Sequence, residues 1–475
     1  MLEPYVLKGT RTVLRRGETS NCLFLFDVMV DMKFKTENEL IEYTSQITGK
    51  TFKEIDSENL LENASLKRQK GLLGHVVETG FYKYPRNNDS QADFEELGIE
   101  LKVSGYVKNK NGSLRAKERL VLSKINFNEI VNETFETSHV LGKCEKMLII
   151  WYEYDKNKEA KDFLITNYQL YDMKPDKKVF ENDFKIIKDK VLEGKAHELS
   201  EGDTSYLGAC TKARTSADRT TQPYSDIAPK PRAFSLKNAY MTGILRETTE
   251  NPTLITFSNF TTVEQYVKDK LKPYFGKTQL EILEEITGHP LEGNVPKDIN
   301  KKISNILIGK DKELPEKDEL FTKTSFIIKN IPIQENGKPR ERMSFKTLKL
   351  SEFEEDWEDS FWKNYFEETT IITICYQEVN KSKNGYRILK DVKKITFDET
   401  DLDAFEKTYN QIKKTIEKQD VNLLPTSTNG FKDLELQIAP KASKGADSYN
   451  NFLKKDQTKV CFMINKKLIY EKLKK

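Results

Sequence analysis

One arrangement of segments occurs twice in this chain of 475 residues. A helical pattern capped by Thr36 reads LIEYTSQITGK, and a second one capped by Thr278 reads LEILEEITGH. In both halves the same order follows: an apolar strand, a long amphipathic helix, a lysine-bearing loop and a basic closing helix. Because the chain is too long for one ordinary core, this repetition predicts two domains of one fold.

The best-matched segments are an apolar strand and the helix after it. The run MLIIWYE at 147–153 has a counterpart in IITICY at 371–376, and the helical pattern at 180–196 has one at 402–418. Strands and helices therefore mix within each half, which predicts an α/β (mixed α+β) fold with a central mixed sheet flanked by helices. The loop-forming stretch ETTENPT suggests the boundary. The predicted division is an N-terminal extension at 1–35, a first domain at 36–255 and a second domain at 256–475.

Composition and motif searches exclude several classes of protein. The formal net charge is only +3, so total charge by itself predicts no nucleic-acid partner. Five scattered cysteines without CxxC and four histidines without HExxH argue against a disulfide framework and a zinc hydrolase. The chain has no GxxxxGK[ST], which excludes a P-loop NTPase. No apolar run approaches the roughly 18 residues that span a bilayer, and no signal-peptide cleavage pattern occurs, so we expect a cytoplasmic protein.

The segment DFEELGIELK, from Asp93 to Lys102, carries the clearest chemistry. Residues 99–103 alternate as a strand does, so Glu100 and Lys102 share one face and Leu101 the other. Two carboxylates from Asp93 and Glu100 would suit Mg²⁺, which prefers oxygen ligands, and a neighbouring lysine could assist an attacking water. A surface strand with an ordinary Glu–Lys pair is the alternative, since this short pattern is common in charged chains.

Flanking segments supply two further candidates. Upstream, LKRQKG leads into an apolar helical pattern that presents Glu78, and downstream ETSHV leads to Lys143 just before the buried strand. Each has a plainer interpretation, as a carboxylate on a helix surface or as a solvated lysine. His139, within ETSHV, is a weaker candidate because an isolated histidine is more often structural than a general base.

Residues 212–246 combine cations with turn-forming and aromatic residues, as phosphate-neutralising loops do. A solvated loop without a ligand is equally consistent with the composition. The cations are Lys212, Arg214, Arg219, Lys230, Arg232, Lys237 and Arg246.

Together, LKRQKG with Glu78, DFEELGIELK and ETSHV resemble the MutH family of GATC-specific nucleases. The stretches GKAHELSEGDTSYL and QPYSDI are still more similar to two-domain restriction enzymes of the Sau type, which are PD-(D/E)xK nucleases. The resemblance implies Asp93, Glu100 and Glu78 as metal ligands, with Mg²⁺ as cofactor. It also implies catalytic roles for Lys102 and Lys143.

The resemblance extends to the DNA contacts. Lys212 falls on the lysine of the MutH recognition loop, and Ser235 stands where MutH has a tyrosine beside adenine. Arg214 and Lys237 belong to the same expected DNA-binding segment. Cys210 and Thr211 depart from the Arg-Pro of MutH, so sensitivity to adenine methylation does not follow from the resemblance.

The second half lacks part of the catalytic pattern. If Lys329 matches Lys102, then Ile327 replaces Glu100, and an isoleucine cannot bind a metal ion. Asp318 lies nearby but cannot rebuild the site alone. The segment LQIAPKA resembles the recognition loop, with Lys441 in the place of Lys212. The sequence therefore predicts a catalytically degenerate second copy that binds DNA as an effector, or a half with a purely structural role.

The leading prediction is a two-site type II restriction endonuclease that cuts at GATC with Mg²⁺. A MutH-like repair nickase and a non-catalytic DNA-binding protein are the alternatives. The implied partner is double-stranded DNA with GATC sites, and no membrane is expected. A monomer in solution is expected, with pairing of two chains on DNA left open. A cognate DNA methyltransferase would belong to the same system without a stable complex.

Overall fold

A computed structural model describes most of the chain. The described residues are 34–62, 71–84, 92–109, 112–213, 217–249, 262–290, 293–309, 322–441, 445–454 and 459–474. Most of the predicted extension, the LKRQK segment, Arg214, Asp318 and the centre of the predicted domain boundary lie outside these residues. The predicted domain limits therefore stay a prediction.

The first half contains two sheets. The first sheet has the order β2-β1-β4-β5, with β1 parallel to β4, and the second has the order β3-β7-β6 with antiparallel pairs. The strands are β1 (Glu100–Lys108), β2 (Leu114–Ala116), β3 (Leu120–Lys124), β4 (Lys146–Glu153), β5 (Leu164–Asp172), β6 (Leu207–Thr211) and β7 (Arg232–Leu236).

Helices cover both faces of the first sheet. Along β4, Met147, Ile149 and Trp151 face one apolar cluster, while Leu148 and Ile150 face another that includes the N-terminal helices. A strand buried on both faces reads as a continuous apolar run, as predicted for MLIIWYE. The helices are α1 (Glu37–Ser45), α2 (Phe52–Ile55), α3 (Leu72–His75), α4 (Phe127–Ile130), α5 (His139–Cys144), α6 (Lys177–Leu192) and α7 (Asn238–Thr249).

The second half contains a three-stranded sheet of order β11-β10-β8 and another of order β12-β13-β9. The strands are β8 (Phe326–Ile333), β9 (Met343–Thr347), β10 (Thr370–Gln377), β11 (Ile388–Ile395), β12 (Leu436–Pro440) and β13 (Val460–Ile464). The helices are α8 (Val263–Leu271), α9 (Gln279–Thr287), α10 (Ile299–Ile308), α11 (Phe361–Glu368), α12 (Glu399–Lys418), α13 (Gly445–Lys454) and α14 (Lys466–Lys474).

Helices α1 and α9 begin where their capping threonines predict. Thr36 accepts a hydrogen bond from the Glu39 N–H, and Thr278 forms a full capping box with Glu281. Gly288 ends α9 in the left-handed conformation, as expected. Helix α1 ends at Ser45, so it is shorter than the pattern LIEYTSQITGK predicts.

Apart from β2, the strand order of the first half is repeated in the second, including a shift of register. Pairing of β4 with β5 shifts register after Trp151, and pairing of β10 with β11 shifts after Cys375. Aligning these two β-bulges places Ile371 on Met147. Because Met147 pairs with Glu100 and Ile371 pairs with Ile327, the bulges reproduce the predicted match of Ile327 to Glu100 without using side-chain identity.

The two halves share apolar and polar contacts. One buried cluster contains Trp151 and Tyr240 from the first half together with Ile374 and Val392 from the second. A second cluster lies within the second half. Among the helices of the described ranges, none is long and apolar enough to span a membrane. The mixed α/β class predicted from the sequence is confirmed.

Candidate active site and DNA-reading loops

The chain reverses direction immediately before the strand that carries the candidate site. Gly98 adopts φ +63° after a short 3₁₀ turn, and Phe94 bridges to Ile99 in the antiparallel sense. This left-handed conformation is readily adopted by glycine. The reversal brings Asp93 beside β1, where its Oδ2 accepts a hydrogen bond of 2.8 Å from the Leu101 N–H.

Glu100 is the centre of the site. It is only 4% exposed, and its Oε1 lies 2.6 Å from Lys102 Nζ. Its Oε2 lies 3.0 Å from Nζ of Lys143, which comes from α5 on the same face of the sheet. The structure thus brings together Asp93, Glu100, Lys102 and Lys143, four of the five residues expected to be catalytic.

The charges of this group and the pKa of Asp93 bear on whether it can bind a cation. Burial raises the pKa of Asp93, and the nearby Glu100 raises it further, while the Leu101 N–H and the two lysines oppose the shift. Two partly buried carboxylates with oxygen donors fit a hard divalent ion such as Mg²⁺. Within the described ranges, no group of three or more His, Cys, Asp or Glu side chains could hold a metal ion. An ion held by Asp93 and Glu100 would complete its shell with further oxygen ligands, such as water or phosphate.

Glu78 lies in a π-helical turn, Val76–Phe81, that continues α3. Such turns occur frequently at functional sites. The Glu78 side chain is 18% exposed, and its Oε2 lies 3.6 Å from His75 Nδ1. Its assignment as a further metal ligand stays a prediction.

The predicted DNA-binding residues of the first half have different surroundings. Lys212 is exposed at the end of β6, where its N–H bonds the Pro231 carbonyl at 2.7 Å. Ser235 and Lys237, expected at a DNA-facing surface, are instead buried, with exposures of 0% and 1%. Ser235 donates to Glu201 Oε1 at 3.1 Å, and Lys237 Nζ donates to the Thr204 carbonyl.

Helix α11 of the second half approaches this polar region of the β3-β7-β6 sheet. Arg119, which precedes β3, lies 2.7 Å from Glu201, 2.9 Å from Glu367 and 3.4 Å from Glu368. Glu367 also accepts a hydrogen bond of 3.1 Å from Thr211, next to Lys212. The sequence analysis missed this cluster, because no local pattern links Arg119 to carboxylates in the other half.

A second cation of the expected DNA segment is also used between the halves. Lys230 is 6% exposed and lies 2.8 Å from Glu399 and 3.1 Å from Asp403, both on α12. Arg232 is 2% exposed and donates to the Ala209 carbonyl at 2.7 Å. The predicted phosphate-binding surface is therefore smaller than its sequence suggested, because these cations are occupied by internal partners.

In the second half, a lysine lies at the same loop position, but the position of Glu100 is not occupied by a glutamate. The Lys441 N–H bonds the Lys459 carbonyl at 2.6 Å, which parallels the Lys212–Pro231 bond of the first half. Ile327 occupies the register position of Glu100, and Lys329 that of Lys102.

Comparison with known proteins separates the two halves. A family model described as "DNA mismatch repair enzyme MutH" matches residues 82–187, a range that contains Asp93, Glu100, Lys102 and Lys143. The chain is 27% identical to the DNA mismatch repair protein MutH of Vibrio parahaemolyticus over 219 residues, covering 44% of this chain and 93% of that protein. A similar match, also at 27% identity, is found with MutH of Vibrio vulnificus.

A longer match includes both halves. The chain is 32% identical over 445 residues to "Type II restriction enzyme Sau3AI" of Staphylococcus aureus, covering 88% of this chain and 87% of that enzyme. The chain belongs to the Sau3AI family of type II restriction enzymes. Membership in the Sau3AI family makes it a type II site-specific deoxyribonuclease with a MutH-like nuclease domain, as the sequence predicted. The reach of the Sau3AI match into the second half also disfavours a single-domain repair nickase.

Proposed function

We propose that this restriction endonuclease hydrolyses DNA phosphodiester bonds at GATC with Mg²⁺, and that its second half binds another DNA site as an effector. The observation that carries the catalytic part is the convergence of Asp93, Glu100, Lys102 and Lys143 at the start of β1. The GATC specificity rests on the resemblance to MutH and Sau-type enzymes, and we extend it here to this chain.

Each side chain of this group has a task in the proposed reaction. Asp93 and Glu100, with Glu78 as a further candidate, would hold Mg²⁺, which when bound supplies Lewis-acid charge and lowers the pKa of a coordinated water. Lys102 and Lys143 bring two ammonium groups to the same carboxylate. Their positive charge can offset the negative charge that builds on the phosphate as the bond breaks.

The DNA-binding part of the proposal uses two loops in equivalent places. Lys212 and Lys441 are both exposed, and each follows the penultimate strand of its half, which pairs with the last strand. Lysines at such loop ends can contact backbone phosphates. Arg214 lies outside the described residues, and the buried Ser235 and Lys237 would reach DNA only if their surroundings opened. Their DNA contacts remain part of the proposal.

Two features of the second half support an effector role: it retains the loop lysine and lacks the glutamate of the first half. Ile327 removes one metal ligand, while Lys441 retains the loop position. The contacts of α11 and α12 with the first half provide a physical connection between the two sites. Coupling between two DNA sites would then be reciprocal, because each ligand changes the affinity of the other by the same factor.

Cleavage of an unmethylated plasmid, with and without Mg²⁺, tests the catalytic proposal. Glu100→Ala should slow cleavage by at least about 1,000-fold, equivalent to about 4 kcal/mol of barrier, while DNA binding remains. Glu96→Ala is the matched control, because Glu96 is exposed in the same segment. Full activity of Glu100→Ala, or cleavage by the wild type in EDTA, would contradict the proposed site. Sequencing the ends of the products tests GATC.

Plasmids with one and two sites test the effector proposal. We expect the two-site plasmid to be cut faster, and a short duplex carrying the site to stimulate cleavage of the one-site plasmid. Lys441→Ala should lower the ratio of stimulated to unstimulated rates. Equal rates on both plasmids, with no response to the duplex, would show that the second half is not an effector.

A further inference from the structure

A cluster of cations occupies the part of the second half that corresponds to the active site. Lys329 aligns with the catalytic lysine Lys102 through the shared bulge register. Its side chain is half-buried, its Nζ donates to the Ser344 carbonyl, and it lies 5.4 Å from the centre of the Phe345 ring. The ammonium group is therefore positioned by the fold, although it has no glutamate beside it on the strand.

Two other cations lie near the same point. Burial raises the pKa of the Cys461 thiol, and the positive charges of Lys441, Lys329 and Arg342 act against that rise. Lys441 also adds to the lowering of the Lys329 pKa, which burial dominates. Arg342 is fixed by a hydrogen bond of 2.9 Å to Gln437 Oε1 on β12. Strands β8, β12 and β13 and the residue before β9 thus bring three cations around one buried thiol.

The cluster of Lys329, Arg342 and Lys441 differs in charge from the corresponding group of the first half. In the first half, the two carboxylates of Asp93 and Glu100 face two lysines. In the second half, no carboxylate of the described residues lies within 4 Å of the charged atoms of Lys329, Arg342 or Lys441. Three cations that have no counter-ion among the described side chains would repel a divalent metal ion and attract an anion.

We propose that Lys329, Arg342 and Lys441 form a phosphate site that holds the backbone of the effector DNA, where the first half would hold its metal ion. This inference rests on the proposed effector function and adds the group of the DNA that is bound. Lys441 is exposed at the loop end, whereas Lys329 is half-buried on β8. A phosphodiester entering from the loop side would gain contacts with both lysines and relieve their mutual repulsion.

Lys329→Gln in the full-length enzyme tests the site, because glutamine removes the charge and keeps most of the aliphatic stem. The probe is a short duplex carrying the site, titrated against cleavage of a one-site plasmid. We expect the half-maximal duplex concentration to rise roughly tenfold, and the salt dependence of stimulation to lose about one unit of slope. Lys338→Gln is the control, because Lys338 is exposed in the same half on the turn beyond β8.

A second variant tests the charge without removing the lysine. Ile327→Glu places a carboxylate next to Lys329, as in the first half, and should weaken stimulation in the same direction. Normal duplex dependence in Lys329→Gln, with the wild type responding, would overturn the phosphate site and leave the effector function intact. A wild type that does not respond to the duplex would overturn the effector function itself.

Inorganic phosphate at constant ionic strength is a separate arm of the experiment. Stabilisation of the wild type by phosphate, lost in Lys329→Gln, with an unchanged response to the duplex, would assign the site to free phosphate and overturn the DNA assignment. Loss of duplex stimulation in Lys329→Gln, beyond that in Lys338→Gln, would support the proposal.

Discussion

Glu100 shows how much of this site one strand can specify. Lys102 follows two positions later on the same face, so the pair was predictable from strand periodicity. Lys143 was predictable only from its order in the resemblance, because it reaches Glu100 from a separate helix over 43 positions of sequence. Glu78 also comes from a separate element, and its proposed role as a metal ligand still depends on the resemblance.

Glu368 carries a pH-dependent charge between the halves. Burial raises its pKa to about 7, with Glu201 and Glu367 adding to the rise and Arg119 and Lys237 opposing it. Because an unfolded glutamate titrates near about 4.3, folding takes up a proton between these values. We expect the free energy of unfolding to fall by on the order of 2 kcal/mol as the pH rises from about 5 to 8.

Urea denaturation of the wild type and of Glu368→Gln across this pH range tests the expectation. Glutamine imitates the protonated side chain, so the variant should lose this part of the pH dependence. The exposed Glu471→Gln serves as a control. Equal pH slopes for wild type and Glu368→Gln would show that Glu368 does not titrate in this range.

At the scale of elements, strands and helices were more predictable than the contacts between them. The strand of DFEELGIELK and both apolar strands formed as periodicity predicts, and the capping threonines begin their helices. Burial of Ser235 and Lys230 could not be predicted, because their partners lie on other elements, and for Lys230 on the other half. Local patterns specify which face of an element is apolar, but not which distant element covers a polar one.

Arg119 is the cation that joins two carboxylates of helix α11 to the first half. Arg119→Leu would leave the carboxylates of Glu201, Glu367 and Glu368 buried without their shared cation. Removing one partner of a buried ion pair costs about 3–5 kcal/mol, so we expect a loss of that order in the free energy of unfolding. Denaturation by urea measures it, with the exposed Arg219→Leu as control.

The double variant Arg119→Leu with Glu368→Gln should recover part of the lost stability, because it removes one uncompensated charge. A loss below about 1 kcal/mol in Arg119→Leu would mean that solvent reaches this contact and screens the charges.

For the whole molecule, the described residues contain one complete carboxylate–lysine set and a second that lacks its glutamate. On the proposed assignment of the active site to the first half, one chain would hydrolyse one strand at a time. We expect nicked circles to precede linear plasmid at low enzyme concentration, and to become scarcer as the enzyme concentration rises and two chains meet on one site. A time course on an agarose gel measures both forms. Linear product without nicked circles at every enzyme concentration would contradict this expectation.

The matched β-bulges, where β5 has an extra residue opposite β4 and β11 has one opposite β10, also bear on the history of the protein. A bulge adds one residue to a strand and turns every later side chain to the opposite face, so the same bulge rarely arises twice by chance. The shared bulge position and pairing register are what internal duplication of one ancestral unit predicts. On this register match, the glutamate at 100 and the isoleucine at 327 mark a position at which the two copies differ. An enzyme whose chemistry lies in one half, as proposed above, could tolerate such a difference, and the other copy would then be free to take on another task.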